Sequence, residues 1–394
     1  MVRYNIDDVT EGMVLGESIF LPGGDLLLAA GYHIKEYYRS RLKQLGFASI
    51  LIEVEGTEGV CPESVISAHV QREASASLDK TAKELNSIFR IKERGEREVE
   101  HIVKENGHEI GKFIMSTGMQ NALEKFIEEI MNQSSVILNL SALTDANASF
   151  FAHAINVTII SLCIGKKYRF SYDEMKQIAM GAINFDLGLA AVSRDILKKE
   201  DPLTDEERKS LEQHTVYGYM MLSKSTSIPA TSAAVALQHH EWQDGSGYPR
   251  SLSGLNMPPI KDFNRANVIH RFAEIVAVAD TYDMLTNGRV HFSPQYSTAE
   301  AIKKMIQLSG TQLNTDIVKT LLSIVPVYPV GARVRVVKAP TPQLVGYNGV
   351  VARQHAENLE RPEVILYETR LFQKIKPVLI DLEKHAQVEI ELVA

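Results

Sequence analysis

Residues 146–165 run for 20 positions without an Asp, Glu, Lys or Arg, yet they include Asn147, Ser149, His153, Asn156 and Ser161. A helix of that length is long enough to cross a bilayer. Its amide, hydroxyl and imidazole groups are costly in hydrocarbon, so a helix buried at the centre of a protein core is the better reading. The rest of the chain must then wrap around this helix, and its polar groups need partners inside the core. No membrane span is expected.

The 394 residues suggest two or three domains. Hydrophobic residues make up 45% and charged residues 23%, which excludes a mainly disordered or fibrous chain. Lys plus Arg is 42 against 49 for Asp plus Glu, a net charge of −7. That balance speaks against a bulk nucleic-acid coat and leaves room for a small phosphorylated ligand in a local basic pocket. Only Cys61 and Cys163 are present, so no disulfide framework is expected. Met1 to Thr10 lacks the apolar core of a signal peptide. Together these features imply a reducing, cytoplasmic setting.

Four segments follow from the patterning. Residues 1–60 read as a small mixed α/β regulatory module, with short apolar runs, a Pro22-Gly23-Gly24-Asp25 turn and a helix from Ile34 to Leu45 that stops at Gly46. Residues 61–135 form a helical connector and candidate dimer element, with Leu78, Leu85, Ile88 and Phe89 as its stripe. Its run Lys92 to Glu98 reads as a solvated face or turn. Residues 136–325 are mainly helical. Thr204 and Glu207 form a capping-box signature that starts a helix running through His214 to Leu222. Residues 326–394 are β-rich, with valines at 334, 336 and 337 and a hairpin signal at Asn348-Gly349. The expected fold class is a mainly α helical bundle with a mixed module before it and a β-rich domain after it.

Four histidines, His153, His214, His239 and His240, fall where the helical pattern is apolar or helix-centred. Asp186 and Asp280 are equally out of place, the latter after the run Ile275 to Ala279. An unpaired carboxylate there would be costly to bury, and a metal ion would neutralise it. Imidazoles with carboxylates suit Fe, Mn, Zn or Ni in a hydrolytic site. Each residue also has a plainer reading. A single interior histidine is usually hydrogen-bonded core. Asp186 could cap a helix near Gly188, and Asp280 could pair with an arginine. The adjacent His239-His240 pair, followed at once by a Gly-rich turn, is much harder to explain by packing.

That string, His239-His240-Glu241-Trp242-Gln243-Asp244-Gly245-Ser246-Gly247-Tyr248-Pro249, resembles the signature of HD-GYP proteins, the branch of the HD phosphohydrolases that acts on cyclic di-GMP. The segments around His153, Thr204 to His214 and Asp280 to Asp283 resemble the flanking ligand segments. The resemblance runs from about 140 to 325 and extends more weakly to both ends. It implies two metals sharing Asp186. One would use His153, Asp186, Asp280 and the HD-motif histidine; the other would use Asp186, His214, His239 and His240. Tyr248, with Gly245 and Gly247, would line the nucleotide pocket. Asp186 and Tyr248 would be the catalytic residues of an active enzyme.

This chain departs from that pattern at three places. Phe185 stands where the HD histidine is expected, Leu189 where a phosphate-contacting lysine is expected, and Glu274 where an arginine is expected. Ser149 replaces the glutamate of three-metal members. The resemblance therefore implies a degenerate HD-GYP protein. It would bind one or two divalent ions, Fe or Mn ahead of Zn or Ni, and would be a cyclic di-GMP-related sensor with weak or absent hydrolysis. The alternative is an active phosphodiesterase with an altered first site. Arg265 and Arg271, in an apparent insertion, are candidates to restore phosphate contacts. A signalling protein partner and a homodimer are further expectations.

Overall fold

A computed structural model describes residues 1–20, 26–45, 47, 49–62, 64–89, 96–133, 136–138, 150–199, 201–261, 266–287 and 295–393. The N-terminal module contains β1 (Val2–Asn5), β2 (Val14–Leu15), β3 (Ile19–Phe20), β4 (Leu26–Leu28), α1 (Glu36–Gln44) and β5 (Ser49–Glu53). β5 is the middle strand of an antiparallel sheet ordered β1-β5-β2, with Val2 opposite Ile52, while β3 pairs with β4. Leu15, Leu42, Phe47, Ile50 and Ile52 form its core. The expected Pro22-Gly23-Gly24-Asp25 turn and Gly46 stop lie outside the described residues, as do Lys92 to Gly95 and Ser149.

The helices follow as α2 (Ala68–Phe89), α3 (Glu96–Ile114), α4 (Thr117–Asn132), α5 (Phe150–Lys167), α6 (Tyr172–Ile183), α7 (Arg194–Lys198), α8 (Asp205–Glu212), α9 (His214–Ser223), α10 (Ala230–Gln238), α11 (Arg271–Asn287), α12 (Thr298–Leu308) and α13 (Thr315–Leu322). From Phe150 onward the uncharged segment lies in α5, and Val157, Ile159, Ile160, Leu162 and Ile164 on it are fully buried. Among the described residues no helix is long and apolar enough to cross a membrane. The Thr204–Glu207 capping box opens α8, and Ser171–Glu174 and Ser297–Glu300 open α6 and α12 in the same way. The helix expected to run through His214 is broken at Gln213, between α8 and α9. There the Leu211 carbonyl accepts from His214 Nδ1 at 2.7 Å, so a side chain competes with the helical ladder at the joint.

The chain ends in an antiparallel sheet of β6 (Arg333–Lys338), β7 (Asn348–His355), β8 (Asn358–Glu368), β9 (Lys374–Asp381) and β10 (Glu389–Leu392), ordered β10-β6-β7-β8-β9. Asn348-Gly349 is not the turn that its sequence suggests. Both residues lie inside β7, and the β6–β7 connection turns upstream through the short 3-10 segment Pro342–Leu344. Asn348 Oδ1 accepts from Arg335 and its Nδ2 donates to Glu368. A Cβ at Gly349 would lie 2.6 Å from the Ile365 carbonyl, so glycine serves close strand approach here.

Two compact units result. One comprises residues 1–65, 135–152 and 323–394; the other comprises 66–134 and 153–322. The first therefore holds both chain ends. Within it Val2, Val60, Val350 and Tyr367 share one apolar cluster, Arg3 N–H donates to the Gly331 carbonyl at 2.8 Å, and Arg333 pairs with Asp8 at 2.8 Å. The second unit holds His153, His214, His239 and His240.

Candidate metal centre and its cavity

Asp186 follows the end of α6 and makes no side-chain capping bond to the 3-10 segment Leu187–Ala191. Its Oδ1 faces His214 Nε2 at 3.5 Å and His239 Nε2 at 3.7 Å. Gly188 permits this approach, because a Cβ there would sit 1.9 Å from the His214 carbonyl oxygen. His214 begins α9; His239 closes α10, and His240 follows it. Donor atoms of these three histidines lie within 4.8 Å of one another.

The hydrogen bonds behind the rings fix their tautomers. His214 Nδ1 contacts the Leu211 carbonyl at 2.7 Å, and His239 Nδ1 contacts the Ala236 carbonyl at 3.0 Å. A carbonyl only accepts, so each Nδ1 carries a proton and each Nε2 is turned into the site. Those two Nε2 atoms are 3.3 Å apart. Burial, reinforced by the neighbouring His214, pushes His239 down to about 4. Burial also holds His240 well below the ordinary imidazole value. Two ring nitrogens at that distance need a proton or a metal cation between them. Three imidazoles and a carboxylate therefore fit one divalent transition-metal ion.

The other half of the expected pair is built differently. His153 Nε2 lies 2.9 Å from Asp280 Oδ1, and its Nδ1 lies 2.7 Å from Asp283 Oδ2. Asn156 and Asn287 donate to the second oxygen of Asp283 at 2.9 and 2.7 Å. Both ring nitrogens of His153 thus face carboxylates of α11. Phe185 is only 1% exposed; its ring is edge-on to His239 at 4.9 Å and tilted over His153 at 5.5 Å. A phenyl ring offers no donor. This half keeps His153 and Asp280 side by side and lacks the histidine donor expected at position 185.

The Gly-rich loop is folded back onto the histidine pair. The buried Glu241 carboxylate accepts from the N–H groups of Arg250 and Leu252, both at 2.7 Å. A Cβ at Gly247 would lie 2.4 Å from the His240 carbonyl and the Trp242 nitrogen. The Tyr248 ring then stacks on His240 at 4.8 Å, and burial raises its phenol. Behind the loop, Gln243 and Asn314 donate to Glu274 at 2.7 and 3.2 Å, and burial lifts the Glu274 carboxyl to about 7.

A cavity of about 570 Å³ opens beside the histidines, lined by His239, His240, Trp242, Tyr248, Asp280, Thr281 and Met284, with Arg208 and Glu212 from α8. That size suits a nucleotide-scale ligand. Gly245 and Gly247 shape the loop, while Tyr248 and Trp242 reach the cavity. Arg271, a candidate phosphate contact, is committed elsewhere. It pairs with Glu174 at 2.9 Å, donates to the Ile260 carbonyl and covers the rings of Phe170 and Phe272. Arg265 lies outside the described residues. Sequence reasoning passed over Asp283, Glu241, Arg208 and Glu212. Asp283 was visible as a second acid three positions after Asp280, on one face of an apolar helix. The others carry no signal without the fold.

Residues 131–317 match the HD domain family model. Over 281 residues the chain is 25% identical to a cyclic di-GMP phosphodiesterase of Pseudomonas aeruginosa, covering 71% of this chain and 63% of that protein. Over 173 residues it is 33% identical to a cyclic di-GMP phosphodiesterase of Thermotoga maritima, covering 44% of each. It is 26% identical over 183 residues to a 3'3'-cGAMP-specific phosphodiesterase of Vibrio cholerae, covering 46% of this chain and 36% of that one. The chain thus spans less than two thirds of the length of these curated relatives.

Proposed function

We propose that this chain, whose residues 131–317 match the HD domain family model, is a cyclic-dinucleotide-binding regulatory protein with one metal ion and weak or absent phosphodiesterase activity. Cyclic di-GMP is the ligand we put first, from the names of the relatives. The observation that carries the reading is the asymmetry of the site. His214, His239, His240 and Asp186 present a full donor set, whereas the half that holds His153 and Asp280 has the Phe185 ring in place of a donor.

When bound, the ion would supply charge neutralisation at a phosphate and a lowered pKa for a water on it. The chain's own groups do the rest. Trp242 offers a flat face for a base, and Tyr248, held by its stack on His240, bounds the pocket beside the histidines. Burial keeps the Tyr248 phenol protonated, so it acts as a hydrogen-bond donor. Asp283 takes the Nδ1–H of His153 and so orients that ring, with its Nε2 turned toward Asp280.

Phosphohydrolysis by the retained donor set is the alternative. Metal analysis of protein purified without oxygen and loaded with Fe(II) or Mn(II), together with titration by cyclic di-GMP, tests the reading. It expects one ion per chain, saturable binding, and a second ion only in Phe185→His. Two ions in the unaltered chain, or no cyclic dinucleotide binding, would overturn it.

A further inference from the structure

Arg208 lies on the cavity wall, on the face of α8 that also presents Leu211 and Glu212. The spacing i, i+3, i+4 places the three on one side of the helix. Arg208 is exposed, and among the described residues its guanidinium has no ion-pair or ring partner. It is also the one Lys or Arg among the described residues that line this cavity.

The need for a cation is set by the rest of the site. Leu189 is apolar, and Glu274 is buried and turned to Gln243 and Asn314, so neither serves an anion. A cyclic dinucleotide carries two phosphodiester charges. The histidine end of the cavity can answer one of them. For the second, Arg208 is the one lining Lys or Arg among the described residues that offers a counter-charge, and a guanidinium matches a phosphate by paired N–H donors. Glu212, one turn on, repels an anion placed elsewhere on that wall.

We infer that Arg208 binds the phosphate of a cyclic dinucleotide that lies farther from the histidine cluster. This assignment rests on the function proposed above. The test is equilibrium binding to the intact, metal-loaded chain, with cyclic di-GMP and GMP as probes and Arg208→Ala and Arg208→Lys as variants. Arg208→Ala should lose about ten- to a hundredfold in affinity for cyclic di-GMP. It should lose less than about threefold for GMP, which has no second phosphate to place. Arg208→Lys should fall between, since it keeps the charge and loses the paired geometry. An unchanged melting temperature is expected for both variants, because the side chain is exposed. Wild-type-like binding of cyclic di-GMP by Arg208→Ala, or equal losses for both probes, would overturn the assignment alone. Failure of the unaltered chain to bind cyclic di-GMP would overturn the proposed function and this assignment with it.

Discussion

Glu274 gives a direct test of how burial and hydrogen bonding set the behaviour of the loop behind the site. The residue is 8% exposed, and one of its oxygens accepts from Gln243 at 2.7 Å and Asn314 at 3.2 Å. Burial raises the carboxyl from its ordinary 4.5 to about 7, the two amide donors only partly opposing it. A raised acid binds its proton more tightly when folded than when unfolded. The native state therefore holds more protons between about pH 4.5 and pH 7, and stability falls as pH rises through that window. Moving the value from 4.5 to about 7 corresponds to about 3 kcal/mol of disfavoured charge above pH 7, an upper figure. Glu274→Gln keeps the shape and the accepting oxygen and removes that charge. It should stabilise the chain by about 1–3 kcal/mol at pH 8, with the gain vanishing toward pH 4.5. Urea unfolding of both proteins at pH 8, 6 and 4.5 reads the difference, in which other titrating groups cancel. An equal loss of stability by Glu274→Gln at all three pH values would refute the reasoning, since the charge would then be a needed partner.

Gly188→Ala places a methyl against the His214 carbonyl, 1.9 Å away, so Asp186 and His214 must separate. A stability loss of about 2–4 kcal/mol and lower metal content by elemental analysis are expected. His239 sits below its ordinary 6.5, at about 4, so the native metal-free chain binds fewer protons than the unfolded chain across that range. Its contribution is present above pH 6.5 and lost as pH falls toward 4. Denaturant unfolding should show a weaker acid dependence in His239→Gln than in the unaltered chain.

Much of the site is legible in the sequence because the chemistry breaks the local pattern. His153 and Asn156 interrupt an uncharged helix, and Asp280 ends an apolar run, so each must meet a partner in the core. The structure supplies those partners, but some of them are different from those the pattern suggests. Asp283 completes the His153 clasp through a contact 130 positions apart in the chain, which no local spacing reveals. Glu241 reads as one more charge in the loop until its carboxylate is seen taking two backbone N–H groups. The Asn348-Gly349 pair shows the opposite failure. A strong turn signal is overridden because the neighbouring strand needs a residue without a side chain at 349. Capping boxes at Ser171 and Ser297 follow the same rule that located Thr204, since a hydroxyl and a glutamate three residues on satisfy backbone N–H groups locally. The packing of both chain ends into one unit rests on contacts such as Arg333 to Asp8, which sequence order hides.

The central claim is that one donor set survives and hydrolysis does not keep pace with binding. The most direct measurement is cyclic di-GMP turnover by protein purified without oxygen and supplied with Fe(II) or Mn(II), beside Asp186→Ala. The account predicts tight binding by the unaltered chain with product no greater than in the Asp186→Ala control. Product formed by the unaltered chain and abolished in that control would contradict it and make the chain an enzyme despite Phe185.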